Sequence, residues 1–171
     1  TETYDPLPAP GAELLVLAGD IDSTWTGLQR FADWPVPVLF VPGNHEFDGR
    51  DFAQALQGLR LRCAELGIRL LHRETCVLRA ADGRHIRFLG ATRWSDFDLF
   101  GVAHRERATR AARYFLQLMA ATRDGLPLDA EGVRAEGLAC RRWLEETVPQ
   151  AAQGRWDATV VVTHFAPSLR S

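Results

Sequence analysis

Three short apolar runs, each closed by polar residues, constrain this chain more than anything else in it. Leu14-Leu15-Val16-Leu17 leads into Ala18-Gly19-Asp20. The stretch 36–41 leads into Pro42-Gly43-Asn44-His45-Glu46, and Thr159-Val160-Val161-Val162-Thr163 leads into His164. Leucine and β-branched runs without polar alternation mark parallel strands buried on both faces. Polar residues at the carboxyl ends of such strands line the crevice where α/β sheets bind ligands. An Asp, an Asn and two His delivered there form an oxygen-and-nitrogen donor set suited to Mn, Fe or Zn.

The rest of the chain fills in around these runs. Residues 1–11 carry Pro6, Pro8 and Pro10 and read as an exposed loop. Strands are predicted over 13–18, 36–41, 68–71 and 159–162. A hairpin is predicted over 76–79 and 85–89, turning on Asp82-Gly83. A helix capped by Ser23 carries Leu28 and Phe31 and stops before Pro35. A second covers 51–66, with Phe52, Leu56, Leu59 and Cys63 on one face and Gly67 as its stop. Longer helices are predicted over 101–122, where Phe115, Leu118 and Met119 read as core, and over 129–147. The alternation of strand and helix specifies α/β layering around a sheet in one domain.

Composition narrows the classes of function. The chain has 171 residues and a net charge of −2, and all of its basic residues are Arg. The absence of Lys reads as GC-rich coding bias in a bacterium. The Arg are scattered, so a nucleic-acid partner is not indicated. Cys63, Cys76 and Cys140 are far apart and read as buried thiols in a reducing cytosol, which places the protein in the cytoplasm. No apolar run approaches the roughly 20 residues of a membrane helix.

Gly19-Asp20, then Gly43-Asn44-His45-Glu46, then the distant His164, in this order and each after a strand, resemble the calcineurin-like metallophosphoesterases. Phe88-Leu89-Gly90-Ala91-Thr92-Arg93-Trp94 and Thr163-His164-Phe165-Ala166-Pro167-Ser168 further resemble small bacterial members. The resemblance implies hydrolysis of a phosphomonoester or phosphodiester by a water activated between two divalent metals, Mn, Fe, Zn or Mg. It implies that Asp20 bridges the metals, that Asn44 and His164 ligate the second, and that His45 sits beside the scissile phosphate. Two metals serve this chemistry by binding both the nucleophile and the phosphoryl oxygens. The family's Asp-x-His and Gly-His-x-His blocks do not occur in the chain. The resemblance thus implies an α/β fold, a layered sheet sandwich flanked by helices and incomplete at both ends, with 1–171 the central part of one domain and 101–147 a helical, cap-like insert, carrying part of the ligand set and expected to bind metal partially or not at all. A non-catalytic binding or scaffold module on the same fold is the alternative.

Other polar residues have plainer readings. Asp22 reads as a cap for the helix after it, and Glu46 as a partner that orients an imidazole. Arg93, with Trp94 and Asp96, follows a strand and reads as either the substrate mouth or an ordinary loop. His72, His85 and His104 read as surface or hairpin residues. Arg105, Arg107, Arg110 and Arg113 in the insert are able to meet phosphate, but read better as a solvated helix face. The phosphate ester itself and the oligomeric state stay open at this level.

Overall fold

The computed structural model describes residues 6–168, so the start of the Pro-rich segment lies outside the described residues. The fold is mixed α/β. Strands β1 (Leu15–Leu17), β2 (Val38–Phe40) and β3 (Arg69–Leu70) form a parallel sheet in the order β1-β2-β3. Strands β4 (Glu74–Arg79), β5 (His85–Ala91) and β8 (Ala158–Thr163) form a second sheet, β4 antiparallel and β8 parallel to β5. The helices are α1 (Phe52–Glu65), α2 (Arg105–Met119) and α3 (Ala130–Thr147). A small hairpin, β6 (Thr122–Arg123) with β7 (Leu126–Pro127), lies between α2 and α3.

Alternation along β2 explains why its run is apolar throughout. Val38 and Phe40 belong to a cluster with Leu28, Phe31, Leu59 and Cys63, which come from the 3₁₀ turn Thr26–Phe31 and from α1. Leu39 and Val41 belong to another, with Leu71, Cys76 and Phe88, on the side of the second sheet. Successive side chains of a strand point to opposite faces, so a strand with a helix layer on one side and a sheet on the other has no solvent-facing positions. The two sheets meet closely at Gly90. A Cβ there would collide with Leu71 and Val41, so glycine is what lets β5 pack at this distance.

The other face of β5 meets α3. Arg87 is almost wholly buried and donates to the Thr147 and Val148 carbonyls at 3.1 and 2.9 Å and to Thr159 Oγ1 at 3.1 Å. Its guanidinium also stacks over Trp156, 4.2 Å from the ring centroid. A cation on the last carbonyls of a helix both satisfies orphan acceptors and opposes the helix dipole. This one residue thus ties α3 to the sheet.

Several local expectations hold and several are corrected. Asp51 caps α1 by accepting from Ala53 and Gln54, and Gly67 follows it at φ +68°. Asp129 caps α3 by accepting from Gly132 N–H at 2.8 Å. The Asp82-Gly83 turn joins β4 to β5. The segment after Ser23 is a 3₁₀ turn rather than a helix, and Asp22, not Ser23, organises its start. The helix predicted over 101–122 ends at Met119, where Ala120 turns at φ +50°. The β6–β7 hairpin was not anticipated. Its signal is Asp124-Gly125, both at positive φ as a tight hairpin turn requires.

Two burial expectations are also reversed. Phe115 and Leu118 are 68 % and 65 % exposed, and only Met119 of that trio is core. Their spacing is that of a packed face, but the face they form overlooks a cleft. His72, expected at the surface, is 4 % exposed and edges against Phe52. All three cysteines are buried and free. No helix among the described residues is long and apolar enough to cross a membrane.

Candidate functional site

The ends of β1, β2 and β8 meet at one place. Asp20 follows β1 in a left-handed conformation, φ +55°, and its Oδ2 lies 3.3 Å from His164 Nε2 after β8. Its Oδ1 accepts the His45 backbone N–H at 3.0 Å. The close approach depends on Gly19 and Gly43. A Cβ on Gly43 would strike the Asp20 carboxylate and His164 Cε1, and one on Gly19 would strike Gly43 N and His164 Nδ1. These glycines are a steric condition for bringing a carboxylate and an imidazole together.

Glu46 is the residue whose role the sequence reading mistook. It orients no imidazole. Its carboxylate is fully buried and accepts the N–H groups of Asp20 (2.9 Å), Gly43 (2.6 Å) and Ile21 (2.7 Å). Its own carbonyl accepts from Trp25 Nε1 at 2.8 Å. A buried charge is tolerated when hydrogen bonds replace its water, and here three backbone donors do so. The effect is to clamp the turn after β1 to the turn after β2.

The imidazoles differ in their surroundings. His164 Nδ1 lies 2.8 Å from the Ala18 carbonyl. A carbonyl only accepts, so Nδ1 carries the proton and Nε2 is the atom turned to Asp20. Locking an imidazole through its far nitrogen on a backbone carbonyl is how metal-ligating histidines are commonly held. A neutral Nε2 and a carboxylate oxygen are both acceptors. Their 3.3 Å contact is favourable only with a second proton on the ring or with a cation between them. His45 is exposed, with Nδ1 2.8 Å from Asp48 Oδ2. The hydrogen bond that His45 Nδ1–H donates to the Asp48 carboxylate, against a smaller desolvation effect, raises the His45 pKa above its ordinary 6.5.

Asp20 and His164 meet as a pair, and Asn44 precedes His45 beside them, lining the same cleft as His45. Among the described residues no three His, Cys, Asp or Glu side chains gather to hold a metal. Asp22 and Arg93 are engaged in their own loops. Asp22 accepts from Thr24, Thr26 and Gly27, and the Thr24 backbone N–H leads the causes that hold its carboxyl well below the usual range. Arg93, at φ +57°, donates to the Trp94 carbonyl at 3.0 Å and reaches Asp96 at 3.4 Å. Its guanidinium braces the loop after β5.

One end of the site opens into a cleft of about 350 Å³, where Asn44, His45 and Trp94 meet Phe115, Leu118 and Phe165. The sequence reading placed Phe115 and Leu118 in the core and so missed it.

A two-sheet α/β scaffold with polar residues converging at strand ends is the class that fold and site define. Neither a family model nor a curated protein matches the chain. Among solved structures it is similar to the phosphopantetheinyl hydrolase of Mycobacterium tuberculosis, with a TM-score of 0.59 and 21 % identity. The match covers 90 % of this chain and 58 % of that one, so this chain spans less than two thirds of the length of the structure it matches. At this identity the likeness concerns the fold. It also corrects the family expected from the sequence motifs. The calcineurin-like metallophosphoesterase assignment meets no family model, and the structure that does match is a phosphopantetheinyl hydrolase, so the assignment is not retained.

Proposed function

We propose that this chain carries part of the active site of a metal-dependent hydrolase acting on a phosphomonoester or phosphodiester. The observation that supports this most is the Asp20–His164 contact of 3.3 Å, made by an imidazole whose other nitrogen is tied to the Ala18 carbonyl. Asp20, His164 and Asn44 are the residues that would hold divalent metal. Metal bound there would supply an acidified water and charge neutralisation for the phosphoryl oxygens. His45 stands beside them with its charged form favoured by Asp48. In that state its free nitrogen donates a hydrogen bond to a phosphoryl oxygen or a proton to the leaving oxygen. Glu46 takes no part in bond breaking and keeps the two turns in register. The likeness to a phosphopantetheinyl hydrolase favours hydrolysis as the reaction class.

The test is hydrolysis of p-nitrophenyl phosphate and bis-(p-nitrophenyl) phosphate with added Mn²⁺, comparing the native protein with Asp20→Ala and His164→Ala. Metal-dependent turnover that either substitution lowers by about a hundredfold or more is expected for groups acting at the reacting centre. Turnover unchanged in both variants would overturn the proposal.

A further inference from the structure

The cleft beside His45 has an uneven chemistry. Its floor is Trp94 and Met119, both buried, and its wall is Phe115 and Leu118 on α2, both more exposed than a soluble surface usually leaves large apolar side chains. Its polar lining residues are few, Asn44, His45 and Ser95. Phe165, next to His164, reaches the same cleft and stacks edgewise on the His164 ring, with centroids 4.7 Å apart. The apolar wall is therefore continuous with the Asp20–His164 contact through one residue. Among the described residues no Arg lines the space, and its walls are mostly apolar.

From this we infer that the cleft is the leaving-group subsite, and that the substrate is a phosphate ester of an apolar alcohol, aryl or alkyl, whose hydrocarbon lies between Trp94 and the Phe115–Leu118 wall. The inference rests on the phosphate-ester reading of the neighbouring polar residues. It also gives α2 a purpose that its weak burial leaves unexplained. Of its residues only Met119 is buried, and Phe115 and Leu118 gain cover only when the cleft is filled.

The experiment uses binding, so that it does not depend on turnover. Titrations by calorimetry and by amide chemical shifts compare 1-naphthylphosphonate, methylphosphonate and 1-naphthol, on the native chain and on the Phe115→Ala/Leu118→Ala double variant. Both side chains are exposed, so the variant is expected to fold, and its melting curve checks this. Naphthylphosphonate is expected to bind about tenfold or more tighter than methylphosphonate, as burial of an aromatic surface implies. The double variant should remove most of that preference, with shifts centred on Trp94 and Phe165. Naphthol binding in the cleft while neither phosphonate binds would support the apolar subsite and count against the phosphate-ester reading. Equal binding of the two phosphonates would overturn the subsite and leave that reading standing. Sedimentation of the native chain as a dimer that the double variant dissolves, with no naphthyl binding, would assign the wall to a second copy and overturn the subsite as well.

Discussion

The Glu46 carboxylate, with no exposure to solvent, accepts the Asp20 backbone N–H at 2.9 Å. The same oxygen accepts from Gly43, so one side chain sets the distance between the turns that carry Asp20 and His45. Glu46→Gln keeps the shape but points an amide N–H₂ at one of the backbone donors. A buried donor left without an acceptor costs about 1–3 kcal/mol. Urea denaturation should therefore show Glu46→Gln less stable by about 2 kcal/mol, with the Asp20 and Gly43 amide resonances moved. A loss below about 0.5 kcal/mol, the range of ordinary surface changes, would show that the clamp is dispensable.

Gly43→Ala tests the convergence by sterics alone. Its added methyl falls on the Asp20 carboxylate and on His164 Cε1. Overpacking of this kind typically costs about 1–3 kcal/mol. The variant should melt earlier, and in a crystal structure it should have Asp20 and His164 farther apart. An unchanged 3.3 Å contact would show that the glycine is not what permits it.

His72 makes folding sensitive to acid. Desolvation, with a smaller contribution from Arg73, pushes its pKa from 6.5 down to about 4. Both ring nitrogens are buried without a hydrogen-bond partner. The unfolded chain therefore binds the proton more readily than the folded one between those values. The stability associated with a neutral His72 is complete above about pH 6.5 and is lost as pH falls toward 4, on the order of 3 kcal/mol in total. His72→Leu should flatten that part of the stability–pH curve. If wild type and variant lose stability in parallel between pH 6.5 and 4, His72 is not the acid-sensitive group.

How much of this was legible in the sequence depends on whether a residue's role is local. The runs before Asp20, Asn44 and His164 all form strands, but only β2 is buried on both faces. Strands β1 and β8 lie at sheet edges, where Val16, Val160 and Val161 are exposed; an apolar run does not reveal whether a strand has neighbours on both sides. The turn at Asp82-Gly83 is local, whereas the caps at Asp51 and Asp129 were not predicted. Glu46 was misread because its partners, Asp20, Ile21 and Gly43, are backbone groups that carry no side-chain signature. His72 was misread because a single His in a mixed segment does not reveal which side of a strand end it takes. Phe115 and Leu118 have the spacing of a core face, and spacing cannot distinguish a face on the sheet from one along a cleft. Asp22 was legible as a local cap, and it accepts from Thr24, Thr26 and Gly27 in its own loop; for Arg93 the loop reading, not the substrate mouth, is what its hydrogen bonds to Trp94 and Asp96 match.

The proposed role of Asp20 and His164 as one edge of a metal site can be checked by a single measurement. The most direct measurement is paramagnetic broadening by Mn²⁺ of the imidazole signals of the native chain, repeated on Asp20→Ala. Broadening that is strongest at His164, reaches His45, and is largely lost in Asp20→Ala is the expected result. Sharp His164 signals at Mn²⁺ concentrations that broaden residues elsewhere, or His164 broadening that persists unchanged without the Asp20 carboxylate, would contradict it.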